Sequence, residues 1–296
     1  MPRTAECGET VDAKEIALVG VVGSGTMGAG IAELCATRGL DVRLAVSRES
    51  SLTSAPRKIA ASLGRRVEKG KLTPVERDAA LARINVSTDL AELGDRDLIV
   101  EAVPEDEQLK LGLFATLDKV AGDDTILAST TSAIAITRLA AATARPERVI
   151  GLHFFNPVTA MRLVEIVPAL PTAAEVTEQV AAFAEHTLDR QQVTVADQSG
   201  FVVNALLIPY LLAAIRMVDT GYCPAEDVDR AMELGCAHPM GPLRLADLIG
   251  LDVVAAIAAA LHEEFKQPLY AAPPSLSRLV EAGHLGRKTG RGFHTY

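Results

Sequence analysis

The segment "LVGVVGSGTMGAGIAEL", Leu18–Leu34, constrains the fold more than any other stretch of the chain. An apolar run meets glycines at Gly23, Gly25 and Gly28, and a helix-like pattern follows at once. A strand that turns into a helix through Gly-x-Gly-x-x-Gly is the form that holds the pyrophosphate of a dinucleotide. Gly23 permits the tight turn, Gly25 lets the backbone approach the phosphates, and Gly28 lets helix and strand pack closely. The helix that opens at Thr26 and Met27 turns its first N–H groups toward the same anion. Many strand-to-helix turns use glycine, so the motif takes its weight from its βαβ surroundings.

Those surroundings run from Ile16 to about Val195. Short apolar runs, "IALVGVV", "DVRLAV", "DLIVEAV", "TILAS", "RVIGLHF" and "QQVTVA", are separated mostly by helix-like stretches such as "EDEQLKLGLFATLDKVAG". Strands alternating with helices predict an α/β fold with a doubly wound parallel sheet. After Gly200 the strand signals stop, and "FVVNALLIPYLLAAIRMVDTG", "AEDVDRAMELG" and "LDVVAAIAAALHEEF" read as helices. We therefore expect a loose N-terminal extension over 1–15, a dinucleotide-binding Rossmann-like domain over 16–197 and an all-helical domain over 198–296. The second domain is apolar enough to suggest a homodimer interface.

Composition removes several function classes. Aromatic residues make up 4% of the 296 residues, Trp is absent and the net charge is −9, which argues against a nucleic-acid binder. Cys7, Cys35, Cys223 and Cys236 show no paired spacing, so neither a metal site nor a disulfide framework is expected, and the chain reads as reduced and cytoplasmic. The longest apolar run, "FVVNALLIPYLLAAI", is interrupted by Asn204 and Pro209 and is too short to span a bilayer.

Two further patterns point to chemistry. The second strand of an NAD site ends in a carboxylate for the ribose 2′-hydroxyl. Here that position is Val46, followed by Ser47 and Arg48. A hydroxyl and a guanidinium suit a 2′-phosphate, so NADP(H) is favoured and NAD(H) remains open. Arg48 is otherwise a solvated loop residue. In "VIGLHFFNPVTAMRLVEIV", His153 ends an apolar strand and Glu165 lies in a second apolar run. A buried carboxylate needs a partner. A His–Glu pair would supply one and would give an oriented base for a hydroxyl proton. Taken singly, His153 would more often be a satisfied core residue and Glu165 an edge-strand charge.

The sequence resembles the L-3-hydroxyacyl-CoA dehydrogenase family, especially its bacterial 3-hydroxybutyryl-CoA members, from Ile16 to Tyr296. The motifs that carry this are "GSGTMGAGIA", "EAVPEDEQLK", "HFFNPVTAMRLVEIV", "GFVVNALLIPYL", "MGPLRLADLIGLD" and "GRKTGRGFHTY". The resemblance implies that His153 is the catalytic base and Glu165 its partner. Ser132 and Asn204 would hydrogen-bond the substrate oxygen or position the histidine. Glu105 and Lys110 would lie at the nicotinamide end of the cofactor, with Thr130 and Asn156 nearby. It implies an acyl-CoA thioester substrate and hydride transfer. "RKIAASLGRRVEKGK" carries six basic residues and one acidic residue, and Lys58, Ser62, Arg65 and Lys69 share a helical face. By the resemblance, Ser62 and Lys69 fall where the family binds CoA. An acyl-carrier thioester could use the same face.

The chain also departs from the family. Thr130 stands where an asparagine is usual, Ser199 replaces proline and Ala205 replaces arginine in "DQSGFVVNA", and Leu243 and Arg244 close "PMGPLR". A non-catalytic, crystallin-like cofactor binder is the contrasting possibility, against which the intact His153 and Glu165 argue.

Overall fold

The computed structural model describes residues 15–296. The expected 1–15 extension and Cys7 thus lie outside the described residues, Glu15 excepted. The chain divides into two compact units, residues up to 131 with 136–197, and residues 132–135 with 198–296.

The first unit is built on β1 (Leu18–Val22), β2 (Asp41–Ala45), β3 (Ile84–Ser87), β4 (Leu98–Glu101), β5 (Ile126–Ser129), β6 (Val149–Phe154), β7 (Leu163–Pro168) and β8 (Gln191–Thr194). They form one sheet in the order β3-β2-β1-β4-β5-β6-β7-β8. The connecting helices are α1 (Thr26–Thr37), α2 (Glu49–Glu68), α3 (Pro74–Ala82), α4 (Glu107–Val120), α5 (Ile136–Ala140) and α6 (Ala174–Ala182). β4, β5 and β6 are buried along their whole length, which is why they read as unbroken apolar runs. β3, "INVS", has no such run because it is an edge strand and only partly covered.

The sheet is the expected parallel-dominated, doubly wound one, with a single antiparallel pair. β7 pairs antiparallel with β6, and β8 pairs parallel with β7. The physical reason is the link 155–162, which holds no helix. A parallel return needs a crossover of a dozen residues or more. The chain therefore turns back, and only after α6 does it cross over to β8.

α2 shows how one helix serves both packing and surface. Ala55, Ile59 and Leu63 recur at a spacing of four and are buried, while Lys58 and Arg65 lie on the exposed side.

The second unit contains α7 (Val203–Asp219), α8 (Ala225–Cys236), α9 (Pro242–Ile249), α10 (Leu251–Phe265) and α11 (Pro274–Glu281). α7 continues through Pro209, and Leu211, Leu212 and Ile215 beyond it pack with Leu243, Val254 and Leu261. Two buried carboxylates fasten the end of the chain. Asp247 accepts from the Phe293 and His294 N–H groups at 3.0 and 2.9 Å, and Asp229 meets His294 Nε2 at 2.8 Å. Among the described residues no single helix is long and apolar enough to cross a membrane, and no cluster of three or more His, Cys, Asp or Glu could hold a metal ion. Cys35, Cys223 and Cys236 are free thiols, and burial pushes the Cys35 thiol up to about 12.

Candidate active site

The three glycines of the β1–α1 turn do three different things. Gly23 has φ +106°, and a Cβ there would lie 2.6 Å from the Ala102 carbonyl oxygen. A Cβ on Gly28 would lie 1.9 Å from the Gly23 carbonyl oxygen. Both positions are closed by backbone. A Cβ on Gly25 would meet nothing within 4 Å. Gly25 is also the N-cap of α1 and provides no side-chain cap, so the first helical turn keeps its N–H groups for another acceptor. The space beside it continues into a cleft of about 350 Å³ lined by Thr26, Lys58, Ser62, Arg65, Asn156 and Val158, among others. The cleft brings the glycine turn and the basic face of α2 together. Lys69, the C-cap of α2, is exposed. Met27 packs partly buried against the core.

At the end of β2, Val46 is buried and its N–H donates to the Ser87 carbonyl at 2.9 Å. Ser47 and Arg48 are exposed, and Arg48 begins α2 with no side-chain cap bond.

His153 and Glu165 are cross-strand partners on β6 and β7. Nδ1 of His153 lies 2.6 Å from Oε2 of Glu165, and the residues are 4% and 0% exposed. A carboxylate against Nδ1 holds the proton there and leaves Nε2 as the acceptor nitrogen of the neutral ring. The Phe155 ring packs edge-on to the imidazole with centroids 4.6 Å apart.

A second polar cluster closes the ends of β4 and β5. Glu101, the last residue of β4, is wholly buried. Its Oε1 accepts from the Lys110 ammonium and the Val103 N–H, each at 2.7 Å, and its Oε2 accepts from the Ser129 hydroxyl at 2.6 Å. Lys110 reaches Glu105 Oε2 at 3.2 Å, and the Thr131 hydroxyl donates to Glu105. Lys110 is thus 1% exposed, set between two carboxylates. Beside them the Thr130 hydroxyl is buried and has no hydrogen-bond partner. Sequence reasoning passed over Glu101, Ser129 and Thr131. The signal for Glu101 was a carboxylate inside an apolar run, "DLIVEAV", the same signal that singled out Glu165.

Ser132 and Asn204 belong to the second unit. Asn204 is buried in the first turn of α7, and the nearby Ser199 hydroxyl donates to the Ala133 carbonyl at 3.0 Å. Arg244 Nε lies 3.7 Å from Asp229 Oδ2, and its backbone N–H donates to the same oxygen at 3.1 Å.

The residues present fit a nicotinamide dinucleotide: a glycine whose missing side chain leaves open space, a helix start without a cap, and an unpaired buried hydroxyl at the strand ends. Comparison with known proteins agrees. A family model described as "3-hydroxyacyl-CoA dehydrogenase, NAD binding domain" matches residues 18–198, and one described as the C-terminal domain of that enzyme matches residues 200–296. A Mycobacterium tuberculosis protein named 3-hydroxybutyryl-CoA dehydrogenase is 53% identical over 279 residues, covering 94% of this chain and 98% of that protein. The crystal structure of M. tuberculosis FadB2 matches with a TM-score of 0.94 at 52% identity, over 96% of this chain and 100% of that one. That of (S)-3-hydroxybutyryl-CoA dehydrogenase from Ralstonia eutropha matches with a TM-score of 0.90 at 42% identity, over 95% and 99% of the two chains.

The glycine geometry separates folding from binding. Gly28→Ala drives a methyl group into a backbone carbonyl, and we expect it to cost about 1–3 kcal/mol in thermal or urea unfolding. Gly25→Ala should unfold like the unmodified protein and lose dinucleotide affinity in a fluorescence titration. A Gly25→Ala protein that bound as tightly as the parent would refute the assignment of this space to the pyrophosphate.

Proposed function

The chain belongs to the 3-hydroxyacyl-CoA dehydrogenase family, and on that premise we propose that it interconverts a short-chain (3S)-3-hydroxyacyl-CoA, such as 3-hydroxybutyryl-CoA, and the 3-oxoacyl-CoA. A nicotinamide dinucleotide supplies the hydride acceptor or donor. The observation that carries this reading is the 2.6 Å contact between His153 and Glu165. In oxidation, His153 Nε2 takes the substrate hydroxyl proton; in reduction, it returns that proton to the oxygen. Glu165 keeps the proton at Nδ1 and stabilises the imidazolium that forms. Ser132 and Asn204 are assigned the substrate oxygen. Thr26, Met27, Glu105, Lys110, Thr130 and Asn156 are assigned to the cofactor with the three glycines. The helical unit is assigned a homodimer contact, supported by the exposed Leu206, Tyr222 and Leu234.

His153→Gln and Glu165→Gln should each lower kcat by roughly 10²–10⁴-fold, the usual contribution of a placed acid–base group. Cofactor binding by fluorescence titration should stay nearly constant. Turnover close to that of the unmodified enzyme in either variant would exclude the dyad.

The basic side of the cleft is assigned to the phosphates of CoA. Coenzyme A is a polyanion and the protein carries a net charge of −9, so attraction must be local. Reversing the charge at Arg65 or Lys69 should raise KM for acetoacetyl-CoA and steepen its salt dependence. Turnover of a short pantetheine thioester, which lacks the nucleotide, should be little changed. Equal losses on both substrates would assign these side chains to the fold.

NADP(H) is the favoured cofactor in this proposal. A buried Val46 presents no acceptor to a ribose 2′-hydroxyl and no repulsion to a 2′-phosphate, while Ser47 and Arg48 are exposed next to it. A charge-assisted hydrogen bond contributes about 1.5–3 kcal/mol, or roughly ten- to a hundredfold. We expect a higher kcat/KM with NADPH than with NADH when acetoacetyl-CoA reduction is followed with each. Combining Val46→Asp with Arg48→Ala should reverse the order. Preference of the unmodified enzyme for NADH would leave Arg48 a solvated loop residue.

A further inference from the structure

Arg190 is a buried cation that neither the proton transfer nor the lining of the cleft uses. It immediately precedes β8 and is 8% exposed. Its Nη1 donates to the Leu188 and Asp189 carbonyls at 3.2 and 2.9 Å, and its Nη2 donates to the Val158 carbonyl at 3.5 Å. Its Nε is buried and has no hydrogen-bond partner. These acceptors are all neutral. The Asp189 carboxylate is engaged by Arg38 at 2.8 Å, and that contact holds its carboxyl below the usual carboxylate range. Cations prevail around the buried guanidinium. Burial first, and then Arg38, draw it below its ordinary value against the pull of Asp189, and Arg66 and Arg162 act in the same direction as Arg38.

Such a group is costly to keep. A charge taken out of water without a carboxylate of its own opposes folding, and an apolar chain of similar length could fill the space. Groups perturbed in this way gather where charge serves a ligand. The position of Arg190 indicates which one. Val158, whose carbonyl it meets, is buried and lines the cleft with Gly30, Lys58 and Arg65. A Cβ on Gly30 would lie 3.0 Å from the Val158 Cβ, so the link 155–162 is seated directly on α1. The guanidinium thus touches the wall of the cleft without lining it. A charge embedded in protein acts through a medium of low dielectric and is screened by salt far less than an exposed one.

We propose that Arg190 raises the affinity of the cleft for the anionic nucleotide of the thioester through its field, without touching the ligand. This rests on the assignment of the cleft to CoA and adds to it a determinant of specificity outside the lining. Pantetheine carries no phosphate, so the effect falls on ligands that bear the nucleotide.

The test is a calorimetric titration of the whole protein with CoA at low and high salt, beside turnover of acetoacetyl-CoA and of the pantetheine thioester. Arg190→Met removes the charge and keeps much of the length of the side chain. It should raise Kd for CoA about two- to fivefold and leave kcat/KM for the pantetheine thioester within about twofold. The factor should be the same at both salt concentrations, whereas the loss in Lys69→Glu should shrink as salt rises. Arg190→Lys keeps the charge and should bind CoA within about twofold of the unmodified protein. Asp189→Asn moves the balance the other way. Asp189 has φ +53°, which asparagine accepts, and its side chain is 68% exposed. Losing this carboxylate should tighten CoA binding about two- to fivefold, and the substitution carries the test should Arg190→Met fail to fold. Equal losses on CoA and on the pantetheine thioester in Arg190→Met, not relieved in Arg190→Lys, would assign Arg190 to the fold and overturn the inference. So would an unchanged CoA affinity in Arg190→Met or in Asp189→Asn, with the CoA assignment left standing. An unmodified protein that bound CoA no more tightly than pantetheine would overturn both.

Discussion

A carboxylate with no solvent exposure has to be paired, and at position 165 the partner comes from across the sheet. The antiparallel return from β6 to β7 places Glu165 directly opposite His153. A parallel pairing would need a long crossover, and it would separate the two residues by far more chain than the link 155–162 provides. The direction of β7 thus has a structural consequence: it brings an imidazole and a carboxylate into register with one short loop. The same β6 delivers His153 to the carboxyl edge of the sheet, where the glycine turn and the ends of β4 and β5 also arrive. One reversal of strand direction sets a paired imidazole and carboxylate beside the glycine turn.

Charge is distributed by the same logic. The protein is acidic as a whole, yet α2 presents Lys58 and Arg65 to the cleft beside Gly25. The helix is held there by Ala55, Ile59 and Leu63, which are buried along an adjoining stripe. The cleft also has an anionic wall. Glu33 of α1 is almost wholly buried and is held by Arg66 at 3.1 Å. Removing Arg66 would leave a buried charge unpaired, which costs several times what an exposed pair contributes. The pair therefore joins α1 to α2 and fixes the two walls of the cleft against each other.

Much of this is legible in the sequence. The glycine turn, the alternation of strands and helices and the change to helices after Gly200 follow from periodicity and turn chemistry. The first and last residues of α10 coincide with the ends of "LDVVAAIAAALHEEF". His153 and Glu165 are legible as candidates because a polar residue in an apolar run demands a reason. The direction of β7 is not legible, because an apolar run has no direction until its connection is known. β3 escapes because a half-covered edge strand has no hydrophobic signature. Glu101 escapes for another reason: the family motif marks Glu105 and Lys110, while the residue that locks Lys110 in place is the last of the strand before them. Family motifs mark contacts with a ligand more readily than the groups that hold those contacts still.

Buried carboxylates organise the second unit as well, and this bears on the departures from the family. Asp229 accepts from the Leu243 N–H at 2.7 Å and meets His294 Nε2 at 2.8 Å, while Asp247 gathers the Phe293 and His294 N–H groups. A Cβ on Gly241, Gly286 or Gly292 would lie 1.9–2.3 Å from atoms of these two aspartates, so the chain closes on them without room to spare. Arg244 lies 3.7 Å from Asp229 and enters this structural network. Its replacement of the usual family residue is absorbed by local charge pairing within the helical unit. Thr130 and Val46 are different. Thr130 leaves a buried hydroxyl unpaired at the strand ends, and Val46 removes a carboxylate from the end of β2. Both changes lie at strand ends of the first unit, and neither is compensated by a neighbouring protein group of the kind that Asp229 provides for Arg244. The departures at Thr130 and Val46 thus sit at the strand ends of the first unit, while those at Ser199, Ala205, Leu243 and Arg244 fall in the helical unit.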